Sequence, residues 1–188
     1  MSEEFFSAVT FVLSNEQGFV DKMCDSGKAT NFGISLRFLR EIPSDRLRKY
    51  GIFKSAEVLN SEDVRTLTRD QAVLIYDGEF WKNAPFDKIT LPIVCNYVFD
   101  MCVNHGISQG IKILQRAIWA VYEMREYDGI IDDGVLGDKT LSVIESIDEH
   151  SLRTALCAER AGFMRLLAAI NTKDRENLNG WLNRCYRI

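Results

Sequence analysis

Two carboxylic acids and a hydroxyl lie close together near the start of the chain, in the segment SNEQGFVDKMCDSGKATNFGIS. Glu16 and Asp25 are nine residues apart, and Thr30 follows five residues after Asp25. Cleavage of a glycosidic bond needs one acid to protonate the leaving oxygen, and a second group to stabilise positive charge or to orient water. These residue types fit that chemistry, but a chain with 27 acidic residues also produces such triples by chance.

The polar segment follows a predicted helix. Apolar residues recur at helical spacing from residue 3 to about residue 15, and Ser2 is suited to be the N-cap. Glu16 then stands at the C-terminal end of this helix, where the helix dipole should raise the pKa of its carboxyl group. A solvated surface glutamate is the alternative interpretation. About twenty polar residues follow, and loops of that length in compact domains tend to carry function.

The remaining pattern predicts a mainly α fold. Residues 35–42 form a short helix, which Pro43 and the charged segment after it should end. Asn60 or Ser61 opens the next helix, and Thr68 with Gln71 has the pattern of a capping box for another. Apolar stripes at helical spacing also continue after Pro92, and the first of them comprises Ile93, Val94, Tyr97, Val98, Met101 and Cys102. Short extended pieces are expected only near residues 32–34.

Composition and charge narrow the class of protein. The chain has 188 residues, of which 46% are hydrophobic and 27% charged, values typical of a soluble globular protein. The net charge of −4 is spread evenly, so nucleic acid is not expected as a partner. The N-terminus is acidic and lacks a small-residue cleavage site, which favours a mature helix over a secretion signal. No apolar run reaches the ~18 residues of a membrane span.

No cofactor or metal is expected. The chain has two distant histidines, His105 and His150, and five cysteines without a CxxC pair, which argues against zinc and favours reduced thiols. The segment DGIIDDGVLGDK superficially suggests a calcium loop. It lacks the alternating acids and the closing glutamate of such loops, so we interpret its two-glycine turn as a structural connector.

Several segments resemble the N-acetylmuramidases of glycoside hydrolase family 108. In that family a helix ends in Glu-Gly-Gly-Tyr, and Asp-x-Gly-Gly-x-Thr-Asn-Tyr-Gly-Ile-Ser follows. This sequence has EQGF at 16–19 and DSGKATNFGIS at 25–35. Further segments are similar to the downstream part of such proteins and to their predicted peptidoglycan domain, namely IYDGEFW (75–81), VFDMCVNHGISQGIKILQRAI (98–118), DGIIDDGVLGDKTLSVI (128–144), ERAGFMRLL (159–167) and LNGWLNRC (178–185).

The resemblance implies a phage endolysin-like peptidoglycan hydrolase that cuts the β-1,4 bond between N-acetylmuramic acid and N-acetylglucosamine. It implies that Glu16 is the catalytic acid and that Asp25 and Thr30 assist it. The implied fold is a lysozyme-like helical domain with a substrate groove between two parts, which we expect to form one compact unit. These parts are a catalytic N-terminal lobe, residues 1–90, and a helical peptidoglycan-domain-like part, residues 91–188.

Three further residues are predicted to bind substrate in that groove: Asn31, Tyr76 and Asn104. Tyr76 and Asn104 also have a structural interpretation. Tyr76 has the helical spacing of a core residue, although aromatic faces suit sugars. Asn104 lies four residues after Asp100 on one helix face, where both could bond backbone groups. His105 is expected to bond the last carbonyls of its helix rather than to shuttle protons.

Three departures from the family pattern surround the predicted acid. Gln17 replaces a glycine, and Phe19 replaces a tyrosine and so lacks its hydroxyl. Lys28 adds a cation, which would lower the pKa of Glu16 and oppose its acid role. Two other functions stay open, and these departures support only the second. One is a lytic transglycosylase that uses the same Glu16, and the other is a non-catalytic wall-binding or secretion-related protein.

The expected partner is bacterial peptidoglycan. The endolysin interpretation places the protein in the host cytoplasm until lysis, and in the periplasm or cell wall afterwards. It predicts a monomer with no membrane anchor, which depends on a holin or another route to reach the wall.

Overall fold

The computed structural model describes residues 1–15, 18–20, 29–122 and 129–187. Within these residues the fold is mainly α, as the sequence predicts. The elements in chain order are α1 (Glu3–Ser14), β1 (Thr30–Asn31), β2 (Ile34–Ser35), α2 (Leu36–Glu41), α3 (Ser44–Lys49), α4 (Ser61–Arg65), α5 (Arg69–Glu79), α6 (Pro92–His105), α7 (Ile107–Val121), α8 (Asp138–Ser146), α9 (Glu149–Ile170) and α10 (Leu178–Cys185). Short 3-10 helices cover Ala56–Val58, Trp81–Asn83, Phe86–Lys88 and Thr172–Asn177. None of the described helices is long and apolar enough to cross a membrane.

The chain divides into two compact units. The first consists of Met1–Phe11 and Phe80–Ile188, and the second of Val12–Glu79. This division differs from the predicted one at residue 90, because the start of α1 belongs with the later helices. The prediction that residues 1–90 are catalytic and residues 91–188 are peptidoglycan-domain-like concerns function. It remains a prediction, and its boundary is not that of the structural units.

An aromatic cluster fixes the start of α1 in the first unit. The Phe5 ring lies edge-on to the Trp81 ring with centroids 5.4 Å apart, and Phe86 and Phe99 complete the cluster at 5.3 Å from each other. Phe5, Phe86 and Phe99 are fully buried. At the helix start the Ser2 hydroxyl accepts a hydrogen bond from the Phe5 amide at 3.3 Å, so the predicted N-cap is confirmed.

Glycines set the junction between α6 and α7. Gly106 ends α6 with a φ of 83°, a conformation that favours glycine. On α7, a Cβ added to Gly110 would lie 2.8 Å from the Cys102 backbone nitrogen, so the two helices approach at a point where no side chain fits. The apolar stripe predicted for α6 is buried except for Ile93, which is 39% exposed.

A buried ion pair joins α6 to α9. Arg160 Nη2 lies 2.8 Å from Asp100 Oδ2, and neither side chain has exposed surface. Arg184 of α10 adds a contact at 2.7 Å between its Nη2 and Asp100 Oδ1. The Arg160 Nη2 contact lacks hydrogen-bond alignment, and Nε and Nη1 of Arg160 have no partner among the described atoms. Tyr97 covers this guanidinium, with Cζ 5.0 Å from the ring centroid.

The second unit is built from short, capped helices. Ser35 caps α2 by accepting a hydrogen bond from the Phe38 amide at 3.1 Å. Asn60 is the N-cap of α4 and forms a capping box with Asp63, which decides between the two predicted start residues. The predicted capping box before α5 is confirmed, since Thr68 and Gln71 bond each other's backbone amides at 2.9 and 3.2 Å.

The sequence prediction missed α3. The charged segment after Pro43 is predicted to end the preceding helix, but it forms a helix of its own over Ser44–Lys49. Leu47 is its buried anchor, and Pro43 occupies the N-cap position. Six residues with one buried side chain leave no recognisable apolar period, which explains the miss.

Replacing Asp100 with asparagine should destabilise the protein strongly. Asp100→Asn leaves the Arg160 charge buried and unpaired, and breaking such a pair costs about 3–5 kcal/mol. The matched control is Asp132→Asn, because Asp132 pairs with Arg116 where both side chains are more than a third exposed. That change should cost less than about 1 kcal/mol. Urea unfolding followed by circular dichroism measures both, and equal losses would contradict the role of the buried pair.

Candidate active site

Of the three predicted catalytic residues, only Thr30 is among the described residues. Glu16 and Asp25 lie outside the described residues, as do Gln17 and Lys28. Thr30 is described and forms the first residue of β1, with its side chain partly exposed. The roles predicted for Glu16 and Asp25 therefore stay predictions, whereas the hairpin that carries Thr30 is described.

Thr30 occupies the middle of a small backbone ladder. Its amide donates to the Val20 carbonyl at 2.9 Å, and its carbonyl accepts from the Val20 amide at 2.8 Å. On the other side, β1 pairs antiparallel with β2, so Thr30 lies opposite Ser35. Because neighbouring chain segments flank Thr30 on both sides, its backbone is tightly placed.

The turn between β1 and β2 contains an unusual backbone conformation. Phe32 has a φ of 51° and Gly33 a φ of 77°, which is the pattern of a type I′ turn. Glycine adopts this region easily, whereas another residue loses about 1–2 kcal/mol there. The short extended pieces expected near residues 32–34 are thus present as β1 and β2, and Phe32 and Gly33 form the turn between them.

Asn31 attaches the hairpin to α4. Its side chain is 6% exposed, and its Nδ2 donates to the carbonyls of Val64 at 3.1 Å and Arg65 at 3.2 Å. These carbonyls lie at the C-terminal end of α4, where backbone acceptors need partners. The amide nitrogen of Asn31 is therefore used inside the protein, which gives the residue a positioning role, and its predicted contact with substrate remains a prediction.

Tyr76 attaches the turn to α5. Its side chain is 1% exposed, and its hydroxyl donates to the Phe32 carbonyl at 2.6 Å. A buried hydrogen bond of this kind contributes about 0.5–1.5 kcal/mol, close to the cost of the Phe32 conformation. The burial of Tyr76 favours the core interpretation over the predicted sugar contact.

A cation–π contact lies next to the hairpin segment in the second unit. The Arg65 Cζ atom is 4.6 Å from the centroid of the Phe19 ring. The family pattern has tyrosine at the position of Phe19. The contact with Arg65 uses the face of the ring and therefore needs no hydroxyl. Arg65 also supplies a carbonyl to Asn31, so both ends of this residue support the same region.

Asn104 belongs to the first unit. It lies on α6, is exposed, and its Nδ2 donates to the Asp100 carbonyl at 2.7 Å. This bond matches the backbone interpretation of the pattern. It does not involve the amide oxygen of Asn104, so the predicted contact of this residue with substrate remains a prediction.

His105 ends α6 with a half-buried ring. Its ring meets Phe163 edge-on at 5.2 Å, and its Nε2 is buried without a partner among the described atoms. The predicted bond to the last helix carbonyls is thus not made by Nε2. Burial above all, together with the nearby charge of Arg160 and against an opposing effect of Asp100, lowers the pKa of His105 to about 4.

A buried glutamine organises the loop that resembles a calcium site. Gln115 of α7 is 2% exposed, donates to Asp133 Oδ1 at 2.7 Å, and accepts from the Gly134 amide at 2.9 Å. Trp119 Nε1 donates to the Ile130 carbonyl at 3.0 Å. The structural-connector interpretation of this turn therefore agrees with the contacts. Sequence reasoning missed Gln115, although a glutamine inside an apolar helical stripe is itself a signal.

Comparison with known proteins identifies the family. Residues 9–106 match the family model described as Glycosyl hydrolase 108, and residues 109–186 match the one described as Predicted Peptidoglycan domain. The first match spans more than half of the chain, so the chain belongs to glycosyl hydrolase family 108. It is a glycoside hydrolase that acts on peptidoglycan, as the resemblance predicted.

The structure of SagA from Brucella abortus is similar to this one. The TM-score is 0.63 at 24% sequence identity, and the match covers 96% of this chain and 92% of that chain. At this identity the likeness concerns the fold, and it confirms the predicted mainly α, lysozyme-like class. A search of curated proteins finds no significant match.

The neutral state of His105 should make stability depend on pH. The unfolded histidine takes up a proton below a pKa of about 6.5, whereas the folded one resists until about 4. Stability linked to this group is therefore present at pH 7 and is lost as pH falls through that window. The loss between pH 7 and pH 5 should be about 2 kcal/mol.

Urea unfolding of the wild type and His105→Gln at both pH values isolates this group. The His105→Gln protein should lose less stability on acidification, while His150→Gln, an exchange at an exposed histidine, should behave as the wild type. If both variants keep the wild-type pH dependence, the inference that His105 stays neutral in the folded protein is wrong.

Proposed function

We propose that the enzyme cleaves the β-1,4 bond between N-acetylmuramic acid and N-acetylglucosamine. Glu16 protonates the leaving oxygen, Asp25 stabilises the positive charge or activates the nucleophile, and Thr30 positions water. The observation that carries this proposal is the family match over residues 9–106, which includes all three residues.

The described geometry around Thr30 supports its part in the proposal. A hydroxyl that orients water must be held in place before the substrate arrives. Thr30 meets this need because its backbone bonds Val20 on one side and lies opposite Ser35 on the other. The hairpin is held in addition by the Asn31 side chain, which binds backbone carbonyls of α4, and by the Tyr76 side chain of α5.

The position of Glu16 in the sequence supports its role as an acid. The last residue of α1 is Ser14, so Glu16 follows the helix by two residues. The last turn of α1 contains no basic residue that would offset the negative end of the dipole. That end favours the protonated form of a nearby carboxyl group, which is the form a general acid needs.

Replacing Glu16 with glutamine should abolish wall clearing. Wild type should reduce the turbidity of purified, outer-membrane-stripped Gram-negative walls and release fragments with free muramic acid reducing ends. Glu16→Gln should lower the rate at least about 100-fold, because it removes the proton donor. The matched control is Glu57→Gln, a change at an exposed glutamate in the second unit, which should clear walls like the wild type.

Product analysis separates this proposal from its rivals. Anhydro-muropeptides from the wild type would identify a lytic transglycosylase. If neither wild type nor Glu16→Gln clears the walls while both sediment with them, the protein is a wall-binding module and the proposed hydrolysis is wrong.

We further propose that the enzyme is the endolysin of a phage or prophage and acts as a monomer. In this proposal it stays in the host cytoplasm until a holin opens the route to the wall. The support is the likeness of residues 16–35 to the signature of phage endolysin-like muramidases. Expression in Gram-negative cells should cause lysis only with a co-expressed holin, and lysis at the same rate without it would contradict holin dependence.

A further inference from the structure

The hairpin that carries Thr30 has short strands and a left-handed turn residue, Phe32, neither of which is stable by itself. Both strands have two residues, which is too short for independent stability. The turn places a phenylalanine at the first central position, where asparagine or glycine would be usual. Contacts from outside the hairpin must therefore select this turn over others.

The Tyr76 hydroxyl is placed to make that selection. It donates to the carbonyl of Phe32, which is the group whose direction depends on the left-handed conformation of that residue. If Phe32 returned to a negative φ, this carbonyl would turn away and its hydrogen bond with the Tyr76 hydroxyl would be lost. Tyr76 is itself fixed, because α5 buries it with Ala72 and Ile75.

We propose that Tyr76 is a positioning residue for catalysis, which sets the placement of Thr30 by holding the Phe32 turn. The hydroxyl acts on Phe32, the turn sets the pairing of β1 with β2, and that pairing places Thr30 between Ser35 and Val20. This inference rests on the proposed function for its catalytic part, since it assumes that Thr30 positions water.

Tyr50 provides a matched control in the same unit. It is also a buried tyrosine, and its hydroxyl donates to Glu79 Oε1 at 2.7 Å. The space for this hydroxyl exists because Gly78 has no Cβ. Tyr50→Phe removes one buried hydrogen bond, as Tyr76→Phe does, but it leaves Glu79 paired with Arg46 and does not touch the hairpin.

Steady-state kinetics on soluble glycan fragments tests the catalytic part. Tyr76→Phe should lower kcat about tenfold with KM unchanged, because the substrate still binds while Thr30 is misplaced. Tyr50→Phe should keep the wild-type kcat, although its melting temperature should fall by about as much as that of Tyr76→Phe. A raised KM at unchanged kcat for Tyr76→Phe, or equal kcat losses in both variants, would overturn the proposal.

Relief of the turn should rescue the Tyr76 variant. Phe32→Asn puts a residue that favours the left-handed region at this position, so the turn needs less support. The factor by which Tyr76→Phe lowers kcat should shrink from about tenfold to about twofold or less when both proteins also carry Phe32→Asn. An unchanged factor would show that Tyr76 acts by another route.

Amide hydrogen exchange separates this inference from the proposed function. The Thr30 amide is bonded to Val20, and its exchange rate should rise about tenfold in Tyr76→Phe but not in Tyr50→Phe. A wild type without hydrolase activity would refute the proposed function while leaving this readout intact. An active wild type with unchanged Thr30 exchange in Tyr76→Phe would refute the positioning role alone.

Discussion

Side-chain hydrogen bonds from two residues, Asn31 and Tyr76, hold the hairpin that carries Thr30, and the geometry of the site depends on them. Strands of two residues cannot hold their own shape, and the turn between them places Phe32 in a left-handed conformation. Asn31 stabilises the short strands by binding carbonyls at the end of α4. Tyr76 stabilises the left-handed conformation of Phe32 by binding the carbonyl of that residue. The short helices of the second unit therefore act as a frame for the hairpin.

The first unit solves a different problem, the burial of charge. Asp100 meets two arginines, and the ring of Tyr97 covers the one that is fully buried. Tyr97 also donates to the Cys185 carbonyl at 2.5 Å, which ties α6 to the end of α10. The polar cluster thus links α6, α9 and α10 through the buried side chains of Asp100 and Tyr97.

The sequence predicts those features that depend on neighbouring residues. The Thr68 and Gln71 capping box, the Ser2 cap and the apolar stripe of α6 follow local rules, and the structure confirms them apart from the exposed Ile93. The partners of Tyr76 and Asn31 are 33 to 44 residues away along the chain. Local spacing cannot reveal such contacts, so it predicts neither of these hydrogen bonds. The ion pair of Asp100 with Arg160 was missed for the same reason.

The family match defines the reaction class through the same segment that local reasoning had selected. Glu16, Asp25 and Thr30 attract attention because their types fit glycosidic cleavage, and the match over residues 9–106 gives that fit its specificity. The described structure adds the contacts that hold the hairpin and thereby position the Thr30 hydroxyl.

Digestion of purified walls in oxygen-18-labelled water is the most direct test of the central claim, that this protein hydrolyses the muramic acid bond. Mass spectrometry of the released fragments should find one labelled oxygen at the new muramic acid reducing end. Unlabelled anhydro-muramic ends, or label at a new N-acetylglucosamine reducing end, would contradict the claim.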